Sequence, residues 1–337
     1  MRAVVQEGYG APDEVLRVRE IERPTVGDEQ VLVRVRAASV HPDVWHVVTG
    51  RPYVLRLLGA GARRPKNPVP GTDAAGIVEA VGKAVTRFAP GDEVFGETML
   101  GMQWRNGGAF AEYVAAPQDA LALKPKGVGF EQAAAVPSSG FIAAANLQPG
   151  KRLQAGQRVL VNGAAGGVGS IAVQLARAAG ARVTGVDSGE KLEMVRALGA
   201  EEVIDYTRED FTRRGERYDL VLDVASNLSL RGCRRVLTAT GIYVLIGHDH
   251  FGQATGRVLG SLPRFMRLMA MSLFTRHLPG MSFTLPSKRE VMTSLGEALG
   301  AGTLTPVIDR IYPLDQAALA LRHLQEGRAR GRILVAP

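Results

Sequence analysis

The chain has 337 residues, which at roughly 150 residues per domain suits two domains. Its 46% apolar and 22% charged composition excludes a disordered or fibrous polymer, and its one cysteine, Cys233, excludes a disulfide framework and any multi-cysteine metal site. A net charge of +8 suggests polyanions, but the basic residues are scattered and aromatics are only 6%, so no dedicated nucleic-acid partner is expected.

The first third reads as β-rich. Val31–Val35 alternates apolar and polar, and Gly76–Val81 and Gly91–Phe95 are short apolar runs bounded by glycine and proline. Frequent turns between short strands predict a small barrel-like domain. The character changes at Gln157. Arg158–Asn162 is a buried-type strand, a glycine cluster follows, and Ser170–Ala179 has helical spacing. Strand Arg182–Val186, helix Lys191–Leu198 and strands Val203–Ile204, Leu220–Asp223 and Tyr243–Ile246 continue the alternation. That series predicts an α/β fold with a doubly wound parallel sheet. Gly252–Leu278 breaks the rhythm with a basic amphipathic stripe that suits a lid, an oligomer surface or a membrane contact. No uncharged run reaches the roughly 18 apolar residues of a membrane span, and MRAVVQEGYG has no apolar leader. The expectation is a cytoplasmic protein without stable membrane insertion.

One motif carries chemistry. The run from Val159 to Gly169 is strand, glycine turn and helix start, the context a dinucleotide site requires. Gly163, Ala164, Ala165, Gly166, Gly167, Val168 and Gly169 let the backbone approach a pyrophosphate at a helix N-terminus. Asp187 ends the next strand, where a carboxylate accepts ribose hydroxyls and repels a 2′-phosphate, so NADH is favoured over NADPH. Ser188 and Lys191 stand close enough in sequence to bind that phosphate instead, and Asp187 also suits a helix N-cap.

With these residues the chain resembles the zinc-independent medium-chain dehydrogenase/reductases of the quinone oxidoreductase-like branch. The likeness runs nearly end to end. It rests on Pro70–Gly76 (PGTDAAG), Gly91–Val94, the Gly163–Gly169 turn, Leu198–Ala200, Val203–Tyr206 and Gly327–Arg332. The resemblance implies a GroES-like β-rich catalytic domain built from both chain ends and a Rossmann domain between them. The expected bounds are 1–122, 123–295 and 296–337, with a lid-like insertion near 252–278. It also implies a homodimer, and an active site in the interdomain cleft. In the superfamily's zinc alcohol dehydrogenases a cysteine, a histidine and a second cysteine hold the catalytic metal. The matching positions here are His41, Thr72 and Ser139, and one imidazole with two hydroxyls cannot make that site, so no zinc is expected.

Candidate donors cluster in Ser39–His46, followed by Tyr53. The resemblance places this loop beside the nicotinamide. The branch commonly has asparagine where His41 stands and aspartate one position after Asp43, which leaves the register of the acid open. His46 matches a proton-relay histidine of the zinc enzymes. His41 and His46 suit proton delivery and Tyr53 suits donation to a carbonyl oxygen. The bland alternatives are a turn with a satisfied His41 and a surface His46. Further cofactor contacts expected from the fold are Tyr206, Val224, Ala225, Ser226, Leu245, Ile246 and Gly247, with Arg332 reaching the cofactor or the cleft. Cys233 reads as a small buried hydrophobe.

The expected function is NAD(P)H-dependent hydride transfer to a small apolar electrophile, a quinone or α,β-unsaturated carbonyl. The alternatives are a zinc-free alcohol or carbonyl dehydrogenase and a non-catalytic nucleotide-sensing or polyanion-binding protein.

Overall fold

The structure, a computed structural model, describes residues 1–99, 105–147, 153–247, 256–279 and 285–337. The chain divides into two compact units. One comprises Met1–Phe141, Gly256–Val258 and Ser287–Pro337, the other Ile142–Thr255 and Leu259–Pro286. The sequence reading set the divisions at 122/123 and 295/296.

The first unit opens with β1 (Arg2–Gln6), α1 (Pro12–Val15) and β2 (Leu16–Glu20), in which β1 and β2 pair antiparallel. β3 (Gln30–Val40) is its spine. Val31, Val33 and Val35 point inward while Arg34 and Arg36 face water, the period-two pattern of a half-buried strand. α2 (Pro42–Thr49) follows at once, its start set by Pro42 at the first helical position and its end by Gly50 in the left-handed region. Then come β4 (Asp73–Val81), β5 (Glu93–Glu97), β6 (Tyr113–Pro117) and β7 (Leu121–Leu123). The short helix α3 (Phe130–Ala134) packs on β3 and β4, and α4 (Pro137–Asn146) begins in this unit and crosses its boundary.

The second unit is the predicted alternation. β8 (Arg158–Asn162), α5 (Gly167–Ala178), β9 (Arg182–Asp187), α6 (Leu192–Ala197), β10 (Glu202–Asp205), β11 (Tyr218–Asp223), α7 (Leu230–Val236) and β12 (Leu237–Leu245) follow in order. Among the described residues the strands form one parallel sheet ordered β10-β9-β8-β11-β12. The chain winds outward from β8 on one side, then reverses and winds outward on the other. The carboxyl ends of β8 and β11 therefore form a topological switch point, where open α/β sheets take ligands. Leu160, Val186, Ile204, Val221 and Tyr243 fill the core with Cys233. Of the predicted amphipathic stretch, 252–255 lies outside the described residues, and the rest holds helix α8 (Leu262–Ser272). Leu268 and Met271 pack on the sheet core, while Met266, Met269 and Leu273 face solvent.

The chain then returns to the first unit through α9 (Lys288–Gly300), β13 (Ile308–Pro313), α10 (Ala317–Gln325) and β14 (Arg332–Ala336). β14 pairs antiparallel with β3, so the two ends of the chain complete one mixed sheet, ordered β13-β14-β3-β4-β5-β7 with β6 also on β3.

Candidate active site

In the second unit the turn from β8 to α5 holds Gly163 at φ +86°, a left-handed conformation that favours glycine. Gly169 has no room for a side chain, since a Cβ there would sit 2.0 Å from the Gly163 carbonyl oxygen. α5 leaves this turn with Gly166 as N-cap and no side chain capping it. Its first N–H groups and its dipole are thus left for an anion, which suits a dinucleotide pyrophosphate.

Asp187 closes β9 at 9% exposure. Its Oδ2 accepts the Ala165 N–H at 2.8 Å and its Oδ1 the Ser188 N–H at 2.9 Å, so the carboxylate braces the glycine turn. Ser188 starts a short 3₁₀ turn, Gly189–Lys191, with Lys191 buried. Tyr206 is exposed, and its N–H donates to the Asp187 carbonyl at 3.2 Å. At the switch point the Asn162 carbonyl accepts from Val224 and Ala225 at 3.0 and 3.1 Å. The Asp223 carbonyl accepts from Ile246 and Gly247 at 3.1 and 3.4 Å, just past Leu245. Ser226 holds φ +59°, a rare value for a residue with a Cβ, and its N–H donates to Asp223 Oδ1 at 2.9 Å.

Sequence reasoning did not single out Asp223, yet it is the hub beneath this shelf. Fully buried, it also accepts from Asn162 Nδ2 at 2.7 Å, the Leu228 N–H at 3.2 Å and the Tyr243 hydroxyl at 2.8 Å. Arg264 of α8 lies 3.8 Å from its Oδ2 and donates to the Ser226 and Leu228 carbonyls and to the Tyr243 hydroxyl. Burial beside Asp223 pushes the Tyr243 phenol well above its usual range. The Cys233 thiol is pushed up to about 12, chiefly by burial, which makes it inert as a nucleophile.

The first unit holds a second buried network. Cross-strand pairing sets Ser39 of β3 against Asp73 of β4, and the Ser39 hydroxyl donates to Asp73 Oδ2 at 2.6 Å. The Ser138 hydroxyl from α4 donates to Asp73 Oδ1. Arg332, at the start of β14, donates from Nη2 to Ser39 Oγ, and to Asp73 Oδ2 at 3.2 Å. Burial pulls the guanidinium of Arg332 below its usual range, with the charges of Asp73 and Asp43 opposing. Register also sets Glu97 of β5 opposite Asp73, and Lys288 Nζ of α9 sits 2.5 Å from Glu97 Oε2.

His41 is the N-cap of α2 and lies buried. Its Nδ1 accepts the Asp43 N–H at 3.2 Å and stands 3.4 Å from the Asp43 carboxylate, itself buried. With Nδ1 accepting, the neutral ring carries its proton on Nε2, an assignment from the hydrogen-bond network. His46 is buried too, not on the surface. It donates from Nδ1 to the Arg51 carbonyl at 2.7 Å and meets Trp45 edge-on. Tyr53 is 41% exposed beneath the Arg56 guanidinium, and its N–H donates to the Arg257 carbonyl at 2.8 Å. His41, Asp43 and Arg332 thus gather at the Asp73 network, while Tyr53 stands at the surface.

His41 Nε2, Thr72 Oγ1 and Ser139 Oγ are buried with no hydrogen-bond partner among the described residues. Leaving such a group unpaired costs about 1–3 kcal/mol. One imidazole and two neutral hydroxyls do not fit catalytic zinc, which takes three nitrogen, sulfur or carboxylate ligands. Among the described residues no three His, Cys, Asp or Glu side chains are grouped to hold a metal ion.

Comparison with known proteins agrees with this anatomy. Residues 27–126 match the alcohol dehydrogenase GroES-like domain and residues 198–335 the zinc-binding dehydrogenase family. The chain is 31% identical to the NADPH-dependent alkenal/one oxidoreductase, chloroplastic, of Arabidopsis thaliana, covering 100% of this chain and 80% of that protein. The solved quinone oxidoreductase of Coxiella burnetii superposes with a TM-score of 0.83 at 27% identity, covering 100% and 99% of the two chains. The Escherichia coli quinone oxidoreductase, solved with NADPH, gives 0.79 at 25% identity with both chains fully covered. The chain belongs to the medium-chain dehydrogenase/reductase family, in its quinone oxidoreductase-like branch.

Proposed function

We propose that the protein uses NAD(P)H to reduce a quinone or an α,β-unsaturated carbonyl without the help of a metal. The observation that carries this reading is the donor set at His41, Thr72 and Ser139. It offers hydrogen bonds to an oxygen but no ligand set for zinc. A plain alcohol would lack the Lewis acid that stabilises its alkoxide, whereas an activated alkene or quinone needs only donors for the charge that develops. The names of the relatives, alkenal/one and quinone oxidoreductase, support the same acceptor class.

The Gly163–Gly169 turn would hold the pyrophosphate. Asp187, Ser188, Lys191 and Tyr206 would hold the adenosine end, and Val224 to Ser226 with Leu245 to Gly247 the rest of the dinucleotide. When bound, the nicotinamide supplies a hydride, and the protein's part is to bind, orient and exclude water. His41 offers its Nε2–H to the acceptor oxygen, with the Asp43 N–H at Nδ1 holding the ring in that tautomer, and water supplies the proton. We read Asp187 as favouring NADH, because a carboxylate at the end of β9 repels a 2′-phosphate. The working form we propose is a cytoplasmic homodimer, supported by the exposed Met266, Met269, Leu273 and Phe274. A monomeric mass by light scattering would count against it.

The test is steady-state oxidation of NADH and NADPH against 1,4-benzoquinone, 2-cyclohexenone and saturated aldehydes. Quinone or enone reduction is expected, and turnover of saturated aldehydes alone would overturn the reading in favour of a carbonyl dehydrogenase. In the same assay Asp187→Ser should lower the NADH-to-NADPH ratio of kcat/KM by about tenfold or more, the loss of one charged hydrogen bond. An unmoved ratio would remove Asp187 from nucleotide choice.

A further inference from the structure

Three polar atoms in the first unit stand out because nothing in the fold uses them. His41 is 3% exposed, Thr72 1% and Ser139 0%, and His41 Nε2, Thr72 Oγ1 and Ser139 Oγ have no hydrogen-bond partner among the described residues. Buried polar groups are nearly always paired, so three unpaired groups in one region call for a ligand. The segments that carry them are anchored to one carboxylate. Ser39 and Ser138 both donate to Asp73, and His41, Thr72 and Ser139 each lie within two residues of one of these three. The network also fixes their backbone. β3 and β4 pair at Ser39 and Asp73, α4 is held through Ser138, and α2 starts on the His41 cap.

The donor chemistry is uniform. Thr72 and Ser139 carry hydroxyl protons, and His41, with Nδ1 accepting from Asp43, carries its proton on Nε2. None of the three is an anion. We propose that His41 Nε2–H, Thr72 Oγ1–H and Ser139 Oγ–H form a cradle for the carbonyl or quinone oxygen of the acceptor, in the place where zinc relatives carry their metal. The cradle rests on the oxidoreductase reading above and gives it a substrate-binding site.

The β-carbon of an enone takes a hydride and its electron pair from reduced nicotinamide, which is oxidised. The alkene π pair moves to the α-carbon side and the oxygen gains negative charge as an enolate, held by the three donors. A proton from water at the α-carbon then gives the saturated ketone. For a quinone, the same two electrons and one hydrogen give the hydroquinone monoanion, and a proton completes the hydroquinone. Three donors on the oxygen matter more once it is charged, so they lower the barrier more than they tighten binding.

The experiment compares the wild-type enzyme with Thr72→Val, Ser139→Ala, His41→Leu and His41→Asn, using 1,4-benzoquinone and 2-cyclohexenone. Thr72→Val and Ser139→Ala should each lower kcat by on the order of 10–100-fold, with KM changed less than about threefold. His41→Leu should fall as far, while His41→Asn, which keeps a donor and a capping oxygen, should recover most of the loss. Two readouts do not depend on turnover. The carbonyl stretch of ¹³C-labelled 2-cyclohexenone, bound with oxidised nucleotide, should move back toward its free frequency in the hydroxyl variants. The thermal midpoint of the ligand-free protein should hold or rise, because each of these variants deletes an unpaired buried hydroxyl. If kcat stays within twofold and the carbonyl band does not move, the three groups hold buried water only and the cradle is refuted. In that case wild-type turnover leaves the oxidoreductase reading standing. Absence of wild-type turnover with every acceptor and both nucleotides would refute both.

Discussion

Asp73 and Asp223 are both fully buried at the end of a strand, one in each unit, and their surroundings differ. Asp223 accepts from Asn162, Ser226, Leu228 and Tyr243, with Arg264 beside it, and its neighbours are satisfied in turn. Asp73 accepts from Ser39, Ser138 and Arg332, but among the described residues the groups at Thr72 and Ser139, next to Asp73 and Ser138 in the chain, find no partner, nor does Nε2 of His41. A complete network makes scaffold. It stitches β11, the loop after it, β12 and α8 into one rigid edge beneath the nucleotide shelf. An incomplete network of the same depth is expensive as scaffold, and its open valences are accounted for when a polar ligand arrives. The two aspartates thus separate positioning from recognition.

Asparagine at each aspartate tests the difference through stability. Asp73→Asn leaves the Arg332 guanidinium, 3% exposed, without its nearest counter-charge. Breaking a buried ion pair typically costs 3–5 kcal/mol, and with Asp43 still acting on Arg332 a loss of about 3 kcal/mol is expected. Asp223→Asn should cost less, about 1–2 kcal/mol. Arg264 reaches water and keeps two backbone carbonyls, so the main loss is one acceptor for the Ser226 or Leu228 N–H. Urea unfolding of the two variants measures both. Equal losses would mean that the two networks hold their aspartates equally tightly.

The parts of this picture that sequence reveals are those fixed by near neighbours. β8, the glycine turn and β9 were legible because strand periodicity and glycine spacing are local, and the structure starts α5 three residues earlier only because Gly167 to Gly169 are already helical. The bounds expected at 122/123 and 295/296 put α3 in the Rossmann domain and cut α9 in two, whereas contact between residues distant in sequence packs α3 on β3 and β4 and α9 on β7. The PGTDAAG motif contains Asp73 but assigns it no role, because that role depends on the register of β3 against β4 and on Ser138. Arg332 was expected at the cofactor or the cleft, and it bonds Ser39 and Asp73 because β14 returns from the far end of the chain. Arg264 looked like one cation of a basic stripe, and only the fold aims it at Asp223. The positions that match zinc ligands are the exception. Their side chains, read from sequence alone, do not make a zinc ligand set, while their lack of partners among the described residues shows only once the network around Asp73 is in place.

The smallest effect concerns pH, and it sharpens the contrast from the side of Asp73. Glu97 faces Asp73 across the sheet, with Lys288 at its carboxylate and Ser138 between the two acids. Burial pushes its pKa above the ordinary 4.5; Lys288 and Ser138 pull it back, while the Asp73 charge adds to the rise. A carboxyl whose pKa is raised by folding binds its proton more tightly in the folded state. Its contribution to stability is full below pH 4.5 and is lost as pH climbs through the folded value, with a slope of at most about 1.4 kcal/mol per pH unit. Glu97→Gln removes that titration and keeps the shape. Urea unfolding followed from pH 5 to pH 8 should therefore show the wild type losing stability relative to Glu97→Gln, with the difference levelling off once Glu97 is fully ionised. Parallel curves would show that Lys288 neutralises Glu97 completely. The polar pocket of the first unit would then be electrostatically as self-sufficient as the Asp223 network.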